Sequence, residues 1–217
     1  MPRSQEELAE LVESDGVTDR DVINAFRSID RALFVPPGDQ DIAYEDHPVR
    51  IPEGQTTSQP SLIARMIEAA HVSPDAVVLE VGAGYGFQTA LLARLAKRVV
   101  AVERWESLAA AARANLERAG VTNSIVEVGD GYEGRAAHAP YDAIVVSAAA
   151  DEVPSALQEQ LAEGGRLVIP VRVGHGEDVM VFAKQKGALE RLGVLTAARF
   201  VPLVKEVPPA EAPKGDD

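Results

Sequence analysis

The sequence predicts an α/β protein: a doubly wound, mostly parallel sheet with an antiparallel C-terminal edge and an N-terminal helical and loop extension. Three observations predict it. From Ala76 onward, short apolar runs alternate with helical segments, the β-α-β-α order that builds a parallel sheet covered by helices. Runs such as AIVV and LVIPV are continuously apolar, as strands buried on both faces are. The last apolar runs are separated by a turn-like Lys186-Gly187 rather than by a helix, which calls for antiparallel pairing.

The elements follow in order. Ser4 with Glu7 makes a capping-box pattern, and Leu8, Leu11 and Val12 then share one helical face. A second helix fits Asp19 to Ile29, with Val22, Ile23 and Phe26 as its apolar stripe. From Val35 to Gln59 runs a long connection carrying Pro36, Pro37, Pro48 and Pro52, a length unusual in a compact domain unless the loop binds something. A helix over Pro60 to Ala70 closes this section. AVVLEVG then reads as a strand, Phe87 to Leu95 as a helix, VVAVE as a strand, and Trp105 to Ala119 as an Ala-rich helix. SIVEVGD and YDAIVVSAA are the next strands. Pro154 to Leu161 reads as a helix with Pro in its first turn, ended by Gly164-Gly165 before the strand RLVIPV. DVMVFAKQ and RLGVLTAARFVPLV supply the antiparallel finish.

Three strand ends carry chemistry. Glu80-Val-Gly82-Ala-Gly84-Tyr85-Gly86 places glycines at a strand-to-helix turn, where the backbone can approach a ligand and helix N–H groups are free. Glu103 ends the second strand, 21 positions after Gly82, where a carboxylate can accept both hydroxyls of a ribose. Asp130, in Gly129-Asp130-Gly131, ends the third strand, placed to meet a base amino group. A plain tight turn would explain any one glycine, and a solvated helix cap would explain Glu103 alone. Three features in order point to a nucleoside. The spacing is G-x-G-x-G rather than G-x-G-x-x-G, and the surroundings are acidic. Both favour S-adenosyl-L-methionine, whose sulfonium and amino group are cationic, over NAD.

These segments resemble the protein-L-isoaspartate O-methyltransferase family, of the class I S-adenosylmethionine-dependent methyltransferases, over nearly the whole chain. The resemblance is carried by the glycine turn with GFQTALLA after it, VER, GDG, APYDAIVVSAA, EGGRLVIPV and RFVPLVK, and above all by GQTTSQP, which is similar to the family's GQTIS-x-P signature. It implies methyl transfer from S-adenosyl-L-methionine to the α-carboxylate of L-isoaspartyl residues in damaged proteins. The ester then closes to a succinimide that reopens in part to normal aspartate. It places Thr57, Ser58, Val201 and Pro202 at the substrate, with Ser58 orienting the reacting carboxylate. Glu80, Gly82, Gly84, Tyr85, Gly86, Glu103, Asp130 and Gly131 fall at the cofactor. For Ser58 a plainer role competes, as cap of the helix opened by Gln59 and Pro60. Three positions depart from the family pattern: Tyr85 stands where a small hydroxyl residue is usual, Phe87 where Tyr is usual, and Thr57 where Ile is usual. A relative that methylates a normal aspartate in one peptide, forming an aspartimide, and a non-catalytic cofactor-binding homologue are the competing readings.

Composition sets the remaining expectations. With 217 residues, one methyltransferase domain is expected over 1–205, its first 75 residues forming helices and a substrate lid, and a flexible acidic tail over 206–217. The formal charge of −13 argues against a nucleic-acid partner. Local donors near the groove, Arg50 or backbone amides, would have to offset that charge for an acidic substrate. No apolar run is long enough to cross a bilayer, and the N-terminus turns acidic where a signal peptide would be apolar. Cysteine is absent and the four histidines are scattered, so no disulfide, thiolate or metal site is expected. A cytoplasmic monomer is the simplest reading.

Overall fold

The computed structural model describes residues 4–205 together with 207 and 208; nearly all of the expected acidic tail lies outside the described residues. Ser4 caps helix α1 (Gln5–Ser14), its side chain accepting the Glu7 N–H at 3.3 Å. Asp19 caps α2 (Arg20–Ser28) through the Asp21 and Val22 N–H groups. The buried faces are those the sequence marks, with Leu8 and Val12 on α1 and Val22, Ile23 and Phe26 on α2. Leu11 is only half-buried.

The long proline-bearing run is not featureless. Two short 3-10 segments, Arg31–Phe34 and Pro37–Ile42, precede a small antiparallel hairpin of β1 (Val49–Arg50) and β2 (Thr56–Thr57). Two-residue strands are too short for alternation to register in the sequence. Their turn depends instead on Glu53 and Gly54, at φ 61° and 66°. Helix α3 (Pro60–Ala70) follows and stops at His71, which takes a left-handed conformation (φ 50°).

The core is a seven-stranded sheet built from β3 (Val77–Val81), β4 (Arg98–Glu103), β5 (Ser124–Val128), β6 (Tyr141–Val146), β7 (Leu161–Val173), β8 (Gly176–Gln185) and β9 (Ala188–Ala198). Its order is β5-β4-β3-β6-β7-β8-β9, parallel from β5 to β7 and antiparallel across β8 and β9. Between them lie α4 (Phe87–Leu95), α5 (Glu106–Arg118) and α6 (Ser155–Gln160). Alternate strand residues go to opposite cores. Val78, Val99, Ala101, Ala143 and Val145 pack on the side of α1–α5. Leu79, Val100, Val102, Ile144 and Val146 pack with Leu157 of α6. Both faces are therefore dry, which is why the parallel strands read as unbroken apolar runs.

One boundary differs from the expectation. Gly164-Gly165 does not end α6. The helix has already stopped at Gln160, and Leu161 is extended and paired with Tyr141. The glycines sit inside β7 where its register against β6 shifts, Gly164 at φ 80°. A Cβ on Gly165 would stand 2.9 Å from the Ala162 and Asp142 carbonyl oxygens. Gly-Gly serves a bulge here, for which a helix stop has the same signature. Pro154 likewise lies at the cap position, one residue before the first turn of α6.

The N-terminal section is organised by Arg31, which is wholly buried (0% exposed). One terminal nitrogen donates to the Ala43 and Glu45 carbonyls at 2.8 and 2.9 Å. The other reaches the His47 carbonyl at 3.1 Å, the Thr57 hydroxyl at 3.2 Å and the Ser58 carbonyl at 3.4 Å. Burial lowers its pKa to about 10, so the guanidinium stays charged at neutral pH. Replacing it with methionine keeps the bulk and strands these acceptors. Arg31→Met is expected to cost about 2–4 kcal/mol in urea unfolding, and a wild-type midpoint would show that the loop holds itself.

Candidate functional site

The strand order reverses between β3 and β6, where the loops at the strand ends part into a crevice. A cavity of about 270 Å³ occupies it. Its floor is the glycine turn after β3. Gly82, Gly84 and Gly86 all take positive φ (91°, 54° and 90°), which side chains would strain, and Gly86 opens α4. Gly131 closes another wall, since a Cβ there would stand 2.5 Å from Val81 Cγ1 and 3.1 Å from Leu203 Cδ1.

Two buried carboxylates face this space. Glu103 accepts the Gly84 N–H at 2.9 Å and the Trp105 N–H at 3.1 Å, and burial raises its pKa against the pull of those donors. Glu80 is wholly buried, its oxygens taking the Gln88 amide N–H at 3.0 Å and the Thr89 hydroxyl at 2.5 Å. Loss of hydration outweighs both donors and pushes its pKa up to about 8. The Gln88 amide also donates to the Ser147 hydroxyl at 3.0 Å. Its oxygen, buried in the same wall, has no partner among the described residues. A buried acceptor beside two desolvated carboxylates suits a cationic group. Among the described residues the lining carries one basic side chain, Arg104, and so no basic cluster for a pyrophosphate.

Tyr85 lines the cavity, half-buried, and burial raises its phenol pKa; the Asn115 amide holds its carbonyl at 3.0 Å. Asp130 is placed differently from its neighbours. Its carboxylate accepts the Tyr132 N–H at 2.8 Å, closing its own turn, and the wall is made by Gly129 and Gly131. Among the described residues no group of three His, Cys, Asp or Glu side chains could hold a metal ion. None of their helices is long and apolar enough to cross a membrane.

The roof comes from two directions. From the N-terminal side comes the hairpin with Thr57 and Ser58. From the C-terminal side comes a strap, Val201 to Val204, pinned beside the end of β6 by the Ala149 N–H to Val201 carbonyl and Leu203 N–H to Ala149 carbonyl bonds, both 2.8 Å. A second cavity shares Thr56, Ser58, Ser147 and Val201 with the first, so the two meet under this roof. Pro202 lines the first.

Thr57 and Ser58 have separate duties. The Thr57 hydroxyl is taken up inside the lid by the Val49 N–H and Arg31, both at 3.2 Å. The Ser58 hydroxyl makes no hydrogen bond among the described residues, and it does not cap α3. The cap position is Gln59, without a side-chain bond to the helix, and the Ser61 N–H is satisfied by Asp46 at 2.8 Å. Asp46 also holds the Gln59 amide at 2.8 Å. Arg50, expected as a donor, is exposed and lines neither cavity; the first cavity's wall carries Arg104 instead.

Residues 3–208 match the family described as Protein-L-isoaspartate(D-aspartate) O-methyltransferase. The chain belongs to this family. It is 47% identical over 203 residues to a protein-L-isoaspartate O-methyltransferase of Methanoculleus marisnigri, covering 93% of this chain and 92% of that one. To one of Koribacter versatilis it is 50% identical over 189 residues, 87% and 85% of the two chains. Among solved structures it is similar to a protein-L-isoaspartate O-methyltransferase with a TM-score of 0.83, at 31% identity, over 94% of this chain and 67% of that one. A putative family member from Plasmodium falciparum, in complex with S-adenosyl-L-homocysteine, gives a TM-score of 0.81 at 27% identity over 94% and 100% of the chains.

For this family member, residue reasoning reached the strand-end carboxylates and glycines but missed Arg31, Asp46, Gln88 and Ser147. Ser147 left a signal: it is the polar residue that ends the apolar run YDAIVV, at the switch point of the sheet. Gln88 lies inside GFQTALLA, eight residues after Glu80.

The raised pKa of Glu80 has a sign in solution. Stability that Glu80 contributes is present at acid pH and declines as pH rises from the ordinary carboxylate range through about 8. Glu80→Gln is expected to flatten that decline in melting temperature between about pH 5 and pH 8. An unchanged slope would mean that Glu80 is already ionised at neutral pH.

Proposed function

We propose that the chain starts repair of damaged proteins by methylating the α-carboxylate of L-isoaspartyl residues, with S-adenosyl-L-methionine held in the first cavity and the damaged chain entering under the roof from the second. The observation that supports this arrangement most is the Ser58 hydroxyl, left unbonded among the described residues where the two cavities meet because Asp46 supplies the helix cap.

When bound, S-adenosyl-L-methionine supplies a methyl group on a cationic sulfur, which passes to a carboxylate oxygen as the carbon–sulfur bond breaks and its electron pair stays on sulfur. Glu103 would accept ribose hydroxyls on the lone pairs that its backbone donors, Gly84, Arg104 and Trp105, leave free. The Gln88 oxygen and Glu80 would receive the amino group. The glycine turn lets the backbone come close without side chains between.

No residue has to remove a proton, because the attacking carboxylate is ionised at neutral pH. The protein's task is alignment and exclusion of water. Ser58 donates one hydrogen bond to the carboxylate, enough to aim it without neutralising it. The hairpin and strap cover the reacting atoms, and desolvation there strengthens the attraction between carboxylate and cation. Tyr85 bounds the cavity beside the glycine turn, a wall that the constellation tolerates.

Methyl transfer from labelled cofactor to matched isoaspartyl and aspartyl peptides tests the reading. The isoaspartyl peptide is expected to be methylated and the aspartyl one not; the opposite order would point to a dedicated aspartate methyltransferase, and no transfer to a non-catalytic homologue. Ser58→Ala is expected to lose most of the rate on the isoaspartyl peptide with little change in melting temperature. Asp46→Ala is expected to lose about 0.5–2 kcal/mol of stability, the usual worth of a helix cap. A Ser58→Ala protein that melts early and turns over normally would return Ser58 to a structural role.

A further inference from the structure

The second cavity, about 370 Å³, runs from Ser58 and Ser147 along the start of α3 to the end of β9 and the strap. It continues the cofactor crevice, so chain flanking a reacting residue would lie in it; this step rests on the function proposed above. Three charged side chains line it: Arg65, Arg199 and Asp15. Arg65, half-buried on α3, is fixed to the wall by one hydrogen bond to the Leu195 carbonyl at 3.1 Å. Arg199 is exposed between the end of β9 and the strap.

Among the described residues neither arginine makes an ion pair. The same holds for Arg31, Arg50, Arg94, Arg98, Arg118, Arg166 and Arg191, in a chain with 34 acidic residues against 21 basic ones. Other arginines do find carboxylates: Arg20 with Glu13, Arg27 with Glu6, Arg113 with Glu106, Arg135 with Glu127 and Arg172 with Asp151. The Glu177 carboxylate, beside the strap, is turned to the Phe200 N–H at 2.6 Å and is not part of the lining. Among the lining side chains one carboxylate, Asp15, stands against two guanidinium groups, so the lining itself is positive inside a strongly acidic molecule; the Asp46 carboxylate behind it is turned to the Gln59 amide and the Ser61 N–H. Guanidinium groups with free N–H donors match carboxylates in shape as well as charge.

We infer that this groove selects among isoaspartyl sites by charge: Arg65 and Arg199 receive acidic side chains that flank the damaged residue, and flanking lysine or arginine is disfavoured. The molecule's net charge would by itself repel such acidic segments, and the two arginines reverse that repulsion where the segment is seated. At physiological ionic strength the screening length is about 8 Å, so the local pair outweighs the distant charges.

The test uses four isoaspartyl peptides of otherwise equal sequence, with two Glu or two Lys placed either before or after the damaged residue. With wild-type enzyme, kcat/KM for the better Glu-flanked peptide is expected to exceed that of its Lys-flanked counterpart by about tenfold, chiefly through KM. Arg65→Glu/Arg199→Glu is expected to reverse the order. Arg199→Glu alone, at an exposed position, is expected to shift the ratio in the same direction and covers the case in which the double variant does not fold. Arg191→Glu, an exposed β9 cation that lines neither cavity, controls for net charge and is expected to keep the wild-type order. Equal kcat/KM for all four peptides, an unchanged order in the variants, or an equal shift in Arg191→Glu would overturn the inference while leaving isoaspartyl methylation standing. Failure to methylate any isoaspartyl peptide would instead remove the function on which it rests.

Discussion

A single buried charge shapes the roof of this site. Arg31 is wholly inside the protein, and among the described residues it has no carboxylate within ion-pair distance, so its two terminal nitrogens are met by main-chain carbonyls and the Thr57 hydroxyl, while its Nε has no partner among them. Burying a guanidinium without acceptors would be prohibitive. The loop must therefore bring Ala43, Glu45, His47 and Ser58 to it, and that fixes the path of the chain into the hairpin. The charge also lies 5.7 Å from the centre of the Phe87 ring, on the helix whose next two residues, Gln88 and Thr89, hold Glu80. Lid and cavity floor are thus braced against the same side chain.

The consequence for chemistry is a division of labour among neighbouring polar residues. Thr57 is spent on the lid, Asp46 on the helix end, and Gln59 on Asp46. What remains unbonded among the described residues is the Ser58 hydroxyl, at the junction of the two cavities. On the floor the imbalance runs the other way. Glu80 and Glu103 are desolvated, and the Gln88 oxygen lacks a donor among the described residues, so that a cationic ligand would relieve what the folded protein leaves unsatisfied. Methyl transfer between a sulfonium and a carboxylate needs little else from a protein: opposite charges brought together out of water, in line, with one donor to aim the anion.

Much of this was legible in the sequence because the sheet is buried on both faces. Continuous apolar runs separated by helical segments fix the order of β3 to β7, and polar residues or glycines at their ends mark the crevice. The two-residue strands at Val49 and Thr56 left no period to read, and Gly164-Gly165 reads alike as a helix stop or a bulge. Asp130 shows the limit at single residues, since a carboxylate at a strand end serves a ligand or its own turn with the same neighbours. Arg31 was invisible for a different reason. In RALF it looks like an ordinary solvated charge at a helix end, and its acceptors lie 12 to 27 residues away along the chain. The freedom of Ser58 was equally hidden, because it depends on Asp46 capping a helix 15 residues downstream.

The most direct measurement is a crystal structure of the protein with S-adenosyl-L-homocysteine and an isoaspartyl peptide bound together. The expected result places the α-carboxylate within hydrogen-bond distance of the Ser58 hydroxyl, about 3 Å, and facing the sulfur, with Arg31 and its acceptors unmoved. A complex in which the carboxylate is held elsewhere, with Ser58 turned to the helix or to solvent, would contradict the account.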